Sequence, residues 1–184
     1  MDVIETKLPG VLLIKPKSFG DDRGFFYEGF QAERYQKAGI LLPFVQDNHS
    51  RSCRGVLRGL HYQYKHPQGK LVSVTRGEVF DVAVDVRHNS PYFGQWIGVM
   101  LNDENHHQLY ISPGFAHGFY VISEIADFYY KCTDYYYPEY DAGVTWNDPT
   151  ISIEWPLLQQ PALSSKDQKL PLLADIVPDH LPPY

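Results

Sequence analysis

Short runs of β-forming residues follow one another along this chain, and turn-forming residues end each run before it becomes long. The sequence of 184 residues interleaves fourteen tyrosines and ten phenylalanines with fourteen glycines and fourteen prolines. Aromatic residues favour strands, whereas glycine and proline interrupt them. The pattern therefore favours many short strands over long helices, and it predicts a mainly β protein built as a jelly roll or barrel.

The strongest strand signal lies in residues 70–87, which Gly77 divides into two runs. In the second run, apolar side chains at the even positions from Phe80 to Val86 alternate with Asp81 and Asp85, a period of two. We expect a β-hairpin with its turn at Gly77, whose acidic face is either solvated or turned into a polar cavity. The other predicted strands are Phe25 to Phe30, Phe44 to His49, Val56 to Gln63, Gln95 to Leu101, His107 to Ile111, Gly118 to Ile122 and Phe128 to Cys132.

One short helix and an irregular tail complete the predicted organisation. Residues Ala32 to Ala38 form the one convincing early helix, with Gly39 as its C-cap. After Trp155 the composition shifts to Pro, Ser, Lys and Asp. We therefore expect a single domain over residues 1–184, in which residues 156–184 are a largely irregular C-terminal tail with at most a short helix.

Composition and charge exclude several classes of protein. A net charge of −6 argues against a general nucleic-acid or membrane-surface binder, so any phosphate site must be a local cluster of basic residues. The two cysteines, Cys53 and Cys132, are too few for a disulfide framework or a structural zinc site, and we expect buried free thiols. No signal peptide or membrane-spanning run is evident, so we expect a cytoplasmic protein.

Motifs for the common cofactors are missing. The sequence has neither a Gly-x-Gly-x-x-Gly dinucleotide fingerprint nor a Gly-x-x-x-x-Gly-Lys-Ser/Thr phosphate loop. A Gly-x-Ser-x-Gly nucleophile elbow is absent as well. We expect chemistry that uses side chains alone, with no cofactor.

The run Arg58-Gly-Leu-His61-Tyr-Gln63 bears on metal chemistry. A His-x-His step would place two imidazoles on one strand face, but the second position here is Gln63. With His117 as the only other well-placed imidazole, fewer than the usual three protein ligands of a catalytic metal site remain. The adjacent His106 and His107 face opposite ways on a strand, and we expect them to be a solvated loop pair. These residues favour a metal-free site.

Several segments together resemble the dTDP-4-dehydrorhamnose 3,5-epimerase family. The likeness runs from about Pro9 to Asp167, nearly the whole chain. It implies a cofactor-free cupin, a double-stranded β-helix or jelly roll with short peripheral helices, and a homodimer. The segments that carry it are Asp22–Glu28, Val45–Ser50, Gly55–Gln63, Gln68–Val72, Gly77–Val86, Pro113–Phe119 and Tyr130–Tyr136.

The resemblance also implies which residues act. His61 is the base, paired with Asp167, and Tyr130 is the proton donor; without the family pattern, each reads as a packing or capping residue. Tyr136 stacks on the thymine. Cations and donors for the diphosphate and the enolate oxygen come from Arg23, Arg58, Lys70 and His117. The remaining substrate-binding residues are Glu28, Gln46, Asp47, Asn48, Asp141 and Lys166, of which Gln46 and Asn48 alternate onto one strand face.

Strict alternation puts Arg58 and His61 on opposite faces of their strand, although both are assigned to one cavity. A bulge or bend at Gly59 would reconcile the two, since glycine inside a strand often marks such a distortion. The prediction of a shared cavity therefore depends on that bulge.

The activity implied by the resemblance converts dTDP-4-dehydro-6-deoxy-D-glucose to dTDP-4-dehydro-L-rhamnose. Because the hydrogens on C3 and C5 both flank the C4 ketone, one base and one oxyanion site can serve both inversions. Three alternatives stay open at this point: a 3- or 5-mono-epimerase of a related pathway, a metal-dependent cupin such as a dioxygenase, and a silent sugar-nucleotide-binding module.

Overall fold

The computed structural model describes residues 1–184, whose thirteen strands and single α-helix alternate with turns. Along the chain, the elements are β1 (Asp2–Glu5), β2 (Val11–Lys15), β3 (Ser18–Asp21), β4 (Gly24–Tyr27), α1 (Ala32–Lys37), β5 (Gln46–Cys53), β6 (Leu57–Gln63), β7 (Lys70–Arg76), β8 (Glu78–Asp85), β9 (Trp96–Asn102), β10 (Gln108–Ile111), β11 (Phe115–Val121), β12 (Ile125–Cys132) and β13 (Asp141–Gly143). Short 3₁₀ turns lie at Pro138–Tyr140, Asp167–Lys169, Leu173–Asp175 and Pro178–His180.

Two antiparallel sheets pack against each other. The six-stranded sheet has the order β1-β2-β10-β7-β12-β5, and the five-stranded sheet has the order β13-β6-β11-β8-β9. Their facing sides bury a core that includes Val72 and Phe128 from one sheet and Ala83 and Phe119 from the other. The predicted mainly β, jelly-roll class is confirmed.

The predicted hairpin at Gly77 is wrong. Strand β7 pairs with β10 and β12, whereas β8 pairs with β11 and β9, so the chain crosses from one sheet to the other at Gly77. Gly77 has φ +78°, and a Cβ there would lie 2.0 Å from the carbonyl oxygen of Ile125. A glycine turn between two alternating runs looks the same in both arrangements, because alternation defines faces and not partners.

Strand β8 is buried on both faces, which explains its acidic residues. Val82 and Val84 pack outward against Ile151 and Leu173 of the C-terminal region. Asp81 belongs to the opposite face and is fully buried. Of the two readings of this acidic face, solvated or interior, the interior one is confirmed.

Residues 156–184 contain three 3₁₀ turns and no named strand or α-helix. Asp148 anchors this segment: it is 2% exposed, and its carboxylate accepts hydrogen bonds from the backbone N–H groups of Thr150, Ile151 and Leu173 at 2.7–3.0 Å. The segment thereby covers the outer face of the five-stranded sheet. No helix in the structure is long and apolar enough to cross a membrane.

The predicted early helix is confirmed, whereas two solvent-exposure predictions are wrong. Helix α1 ends at Lys37, and Gly39 follows with φ +91°. His106 is only 8% exposed, because its ring packs 4.5–4.6 Å from the rings of Phe25 and Tyr27. Both cysteines are free, but Cys53 is exposed at the end of an edge strand and only Cys132 is buried.

Candidate active site

An elongated cleft opens between the two sheets. One part has a volume of about 450 Å³ and an adjoining part about 280 Å³, and His61, Lys70, Tyr130 and Lys166 line both. Most of the predicted site residues line this cleft. They are Arg58, His61, Lys70, His117, Tyr130, Lys166 and Asp167 in the larger part, with Gln46, Asn48, Tyr136 and Asp141 in the smaller one.

His61 and Asp167 form a hydrogen-bonded pair at the wall of the cleft. The Nε2 atom of His61 lies 2.6 Å from Oδ1 of Asp167. Asp167 is 3% exposed, and its backbone N–H donates to the Ser164 hydroxyl oxygen at 3.0 Å, which fixes the 3₁₀ turn that carries it. Burial acts to raise the pKa of Asp167, but its bonds to His61 and Ser164 outweigh burial and hold that pKa below its usual value.

The bulge at Gly59 is present. His61 opposes His117 and Arg58 opposes Phe119, so β6 has one more residue than β11 between these two pairs. Gly59 has φ +112°, and a Cβ there would lie 2.6 Å from backbone atoms of the facing strand. The extra residue shifts the alternation by one place, and Arg58 and His61 consequently line the same cavity.

Tyr130 faces His61 from the other sheet. It lies on β12, whereas His61 lies on β6, and both side chains line the cleft between the sheets. Burial raises the pKa of Tyr130, with the nearby Cys132 acting in the same direction and Arg58 acting against it. The phenol therefore keeps its proton near neutral pH and is available as an acid.

Three cationic side chains line the cleft of this acidic protein. Arg58 donates through Nε to the Ser52 hydroxyl at 3.0 Å, which aims the rest of its guanidinium. Lys70 forms no salt bridge, and burial lowers its pKa, while nearby acidic groups act in the opposite direction. Lys166 pairs with Asp141, whose carboxylate also accepts from the Tyr136 hydroxyl at 2.9 Å.

Gln63, which replaces the second histidine of a His-x-His step, holds the Tyr136 turn in place. Its amide nitrogen donates to the carbonyl oxygens of His66 and Tyr135, and its amide oxygen accepts from the backbone N–H of Tyr137 at 2.7 Å. The backbone N–H of Tyr136 donates to Gln46 at 3.0 Å. These bonds present the half-exposed Tyr136 ring at the mouth of the cleft. No three His, Cys, Asp or Glu side chains form a cluster suited to a metal ion.

Three predicted site residues lie outside the cleft of their own chain. Arg23 pairs with Asp21 in the β3–β4 hairpin and has a 90% exposed side chain. Glu28 pairs with Arg34. Asp47 accepts from Tyr129 and Lys131 on the opposite face of β5 from Gln46 and Asn48. Because Gln46 and Asn48 both face the cleft, strand alternation already placed the Asp47 side chain on the face that points away from it.

The structure adds residues to the site that sequence reasoning missed. Ser50 follows Gln46 and Asn48 along β5 and also lines the cleft, as the same alternation could have indicated. Ser164 belongs to the irregular tail, where no periodicity marked it. Asp81 lies behind the cavity, and its carboxylate is hydrogen-bonded to His117 at 2.8 Å. In the sequence, its position on one face of a strand was the only signal for it.

Comparisons with known proteins show which family the chain resembles over nearly its whole length. Residues 5–175 match the family model described as dTDP-4-dehydrorhamnose 3,5-epimerase. A dTDP-4-dehydrorhamnose 3,5-epimerase from Pseudomonas aeruginosa is 54% identical over 176 residues, which cover 95% of this chain and 97% of the relative. Among solved structures, the Legionella pneumophila dTDP-6-deoxy-D-glucose-3,5-epimerase in complex with dTDP-4-keto-L-rhamnose is 57% identical with a TM-score of 0.97, covering 100% of this chain and 98% of that one.

A related protein with a narrower activity is also similar. The 3′-monoepimerase of Streptomyces bikiniensis, solved with dTDP-quinovose, is 34% identical with a TM-score of 0.91, covering 97% of this chain and 92% of that one. The fold therefore supports epimerases that invert one carbon as well as those that invert two.

The two-sheet antiparallel fold, together with these matches, identifies the class of the protein as a cupin-type sugar-nucleotide epimerase. Family match, sequence identity and structural similarity all extend over nearly the whole chain. The chain belongs to the dTDP-4-dehydrorhamnose 3,5-epimerase family.

Proposed function

We propose that this protein epimerises C3 and C5 of dTDP-4-dehydro-6-deoxy-D-glucose to give dTDP-4-dehydro-L-rhamnose. The observation that carries the proposal is the His61–Asp167 pair, which faces Tyr130 across one cleft. A base and an acid on opposite walls can remove a proton from one face of a ring and return one to the other. That exchange inverts the carbon without any redox step.

His61 is the base in this proposal. A carboxylate only accepts hydrogen bonds, so in the neutral ring the Nε2 atom that faces Asp167 carries the proton. The lone pair is then on Nδ1, which makes no hydrogen bond within the protein, and the side chain is 31% exposed. Once Nδ1 has taken a proton from C3 or C5, Asp167 stabilises the resulting imidazolium.

Negative charge that develops on the C4 oxygen requires donors. Lys70 is the best placed of these, because its ammonium lines the cleft beside both His61 and Tyr130 and has no carboxylate partner. A cation held at the point where charge develops stabilises the enolate more than the ketone, which lowers the barrier. Tyr130 then returns a proton from the opposite face.

The remaining cleft residues suit the nucleotide. Arg58 presents a planar guanidinium that can donate two hydrogen bonds to a phosphate, and Lys166 adds a second charge. The half-exposed Tyr136 ring offers a stacking surface for the base. Gln46 donates a hydrogen bond to Asn48 at 3.2 Å, and both amides can reach the sugar or the base.

We further propose that the protein is a homodimer in which the β3–β4 hairpin docks on the partner. This hairpin forms a sheet of its own, and Phe25 and Phe26 on it are 63% and 70% exposed. An isolated two-stranded sheet is marginally stable, and an exposed aromatic patch is typical of an interface. Docking would bring Arg23 and Glu28 to the partner's cleft. This would explain why neither residue lines the cleft of its own chain.

A single domain over residues 1–184 and a cytoplasmic location complete the proposal. The tail supplies both Lys166 and Asp167 to the cleft, so residues 156–184 belong to the same functional unit as the sheets. The free thiols Cys53 and Cys132 suit a reducing compartment.

Incubation with dTDP-4-keto-6-deoxyglucose in deuterated water, followed by NMR, tests the activity. Deuterium entering both C3 and C5, with the L-rhamno product, is the expected result. Labelling at one carbon alone would identify a mono-epimerase, as in the Streptomyces relative. No labelling at either carbon would refute the proposed activity and leave a binding module. A labelling rate that depends on added metal, after chelation, would favour a metal-dependent cupin.

A further inference from the structure

The second histidine of the cleft has a carboxylate partner that the proposed reaction does not use. The Nε2 atom of His117 lies 2.8 Å from Oδ2 of Asp81. Asp81 is 0% exposed, and its other oxygen, Oδ1, is the one fully buried side-chain polar atom without a hydrogen-bond partner. A buried carboxylate with an unpaired oxygen destabilises the fold, so its presence calls for a functional explanation.

His117 is placed to touch the substrate. It lies directly opposite His61 on the neighbouring strand, and both side chains line the larger part of the cleft. Its Nδ1 atom makes no hydrogen bond within the protein and is not among the fully buried unpaired atoms. Nδ1 is therefore reachable from the cavity that His61 also lines.

The Asp81 bond determines what Nδ1 can do. Because a carboxylate only accepts, Nε2 of His117 carries a proton. Burial lowers the pKa of His117 and Lys70 acts in the same direction, although Asp81 opposes them, so the ring holds one proton rather than two. Nδ1 then has a free lone pair and accepts hydrogen bonds, contrary to the donor role that the family resemblance implied.

We propose that Asp81 is a positioning residue, which holds His117 as its Nε2–H tautomer so that Nδ1 accepts a hydrogen bond from a ring hydroxyl of the sugar. The inference rests on the proposed function, which supplies a 4-keto sugar with hydroxyls at C2 and C3. A site built to bond a hydroxyl rejects analogues that lack it, since a buried polar atom is then left unpaired. Asp81 thus contributes to substrate choice without touching the substrate.

The tautomer can be observed without substrate. In protein labelled with ¹⁵N-histidine, long-range ¹H–¹⁵N correlation spectra at neutral pH should show His117 as the Nε2–H form, with its signals assigned by their loss in His117→Asn. A doubly protonated ring, or the Nδ1–H form, would overturn the inference. Because this measurement uses the free protein, it stands even if the proposed activity fails.

Two variants of Asp81 separate positioning from charge. In Asp81→Asn the amide oxygen can still accept from Nε2–H, so we expect the tautomer to remain and kcat/KM to fall no more than about threefold. In Asp81→Leu no acceptor remains, the buried Nε2 loses its proton to Nδ1, and we expect kcat/KM to fall about 30-fold or more. Equal losses in both variants would show that only the negative charge matters and would overturn the inference.

Substrate analogues supply a readout that a purely structural role would not change. Deuterium exchange at C5 can be followed with 2-deoxy and 3-deoxy analogues of the 4-keto sugar. We expect the difference in C5 exchange rate between Asp81→Asn and Asp81→Leu to vanish for one of the two analogues and to persist for the other. Persistence with both would overturn the hydroxyl contact. Thermal unfolding of each variant verifies folding, and the tautomer spectra decide the outcome if Asp81→Leu does not fold.

Discussion

The site depends on a few side chains whose neighbours define their protonation. Asp167 and Asp81 each face the Nε2 atom of a histidine, and each leaves the Nδ1 atom of that ring open to the cleft. The two pairs differ in burial: the His61 side chain is 31% exposed and that of His117 is 8% exposed. The more accessible ring suits proton exchange with the substrate, whereas the enclosed one suits a fixed hydrogen bond.

Asp167→Asn should lower kcat about 100-fold or more, because the histidine loses the carboxylate that stabilises its imidazolium.

The folded pKa of Asp167 lies below the unfolded one, so folding favours the ionised form. Its contribution to the free energy of unfolding is therefore present above about pH 4 and is lost as pH falls through the folded pKa. Urea unfolding of wild type and variant at pH 7 and pH 3.5 should show a stability difference that shrinks at the lower pH. Asp179→Asn, at an exposed position, is the control, and a pH-independent deficit for Asp167→Asn would contradict this account.

At the scale of elements, the positions of strands followed from the sequence better than their pairing. The runs at 56–63 and 95–101 became β6 and β9 with ends shifted by one residue, and α1 was located with its glycine cap. Strands β1, β2, β3 and β13 escaped prediction; none is longer than five residues, and β3 is exposed throughout. The crossing at Gly77 escaped it as well, since pairing depends on contacts between residues far apart in sequence. For the same reason, no local signal could show that the tail delivers Asp167 to His61.

The bulge of β6 is the element on which the site depends most. Gly59→Ala places a side chain at φ +112° and 2.6 Å from backbone atoms that cannot move aside. We expect a loss of roughly 3 kcal/mol or more in the free energy of unfolding, together with loss of activity, since His61 and Arg58 would no longer share a face.

Gly39→Ala is the matched control for this variant. Gly39 also has a positive φ, +91°, but a Cβ there meets nothing within 4 Å. Gly39→Ala should therefore lower the free energy of unfolding by about 1 kcal/mol, through backbone strain alone, and should retain activity. Urea unfolding at neutral pH measures the stability losses of both variants. Equal stability losses in the two variants would show that close packing at the bulge is not what requires glycine there.

At the scale of the whole molecule, the proposed dimer makes each active site a shared one. Arg23 lies in a hairpin that forms no sheet with the rest of its own chain, and its guanidinium reaches only Asp21. If the hairpin serves the partner, Arg23 and His61 of one site come from different copies.

Mixed dimers test this arrangement. Arg23→Ala and His61→Asn subunits carrying different affinity tags can be co-expressed, and the mixed species can be purified by both tags. We expect each homodimeric variant to be nearly inactive and the mixed dimer to recover about half of the wild-type activity, because one of its two sites is intact. A mixed dimer as inactive as its parents would place Arg23 and His61 in the same subunit's site, and a monomer in light scattering would refute the dimer itself.

The most direct test of the central claim is hydrogen exchange in the His61→Asn variant. With dTDP-4-keto-6-deoxyglucose in deuterated water, NMR should show exchange at C3 and at C5 in the wild type and none above background at either carbon in the variant. Unchanged thermal unfolding of the variant would confirm that its fold is intact. Exchange that persists at either carbon in a folded His61→Asn protein would mean that another residue removes that proton, and it would contradict a single His61–Asp167 base serving both inversions.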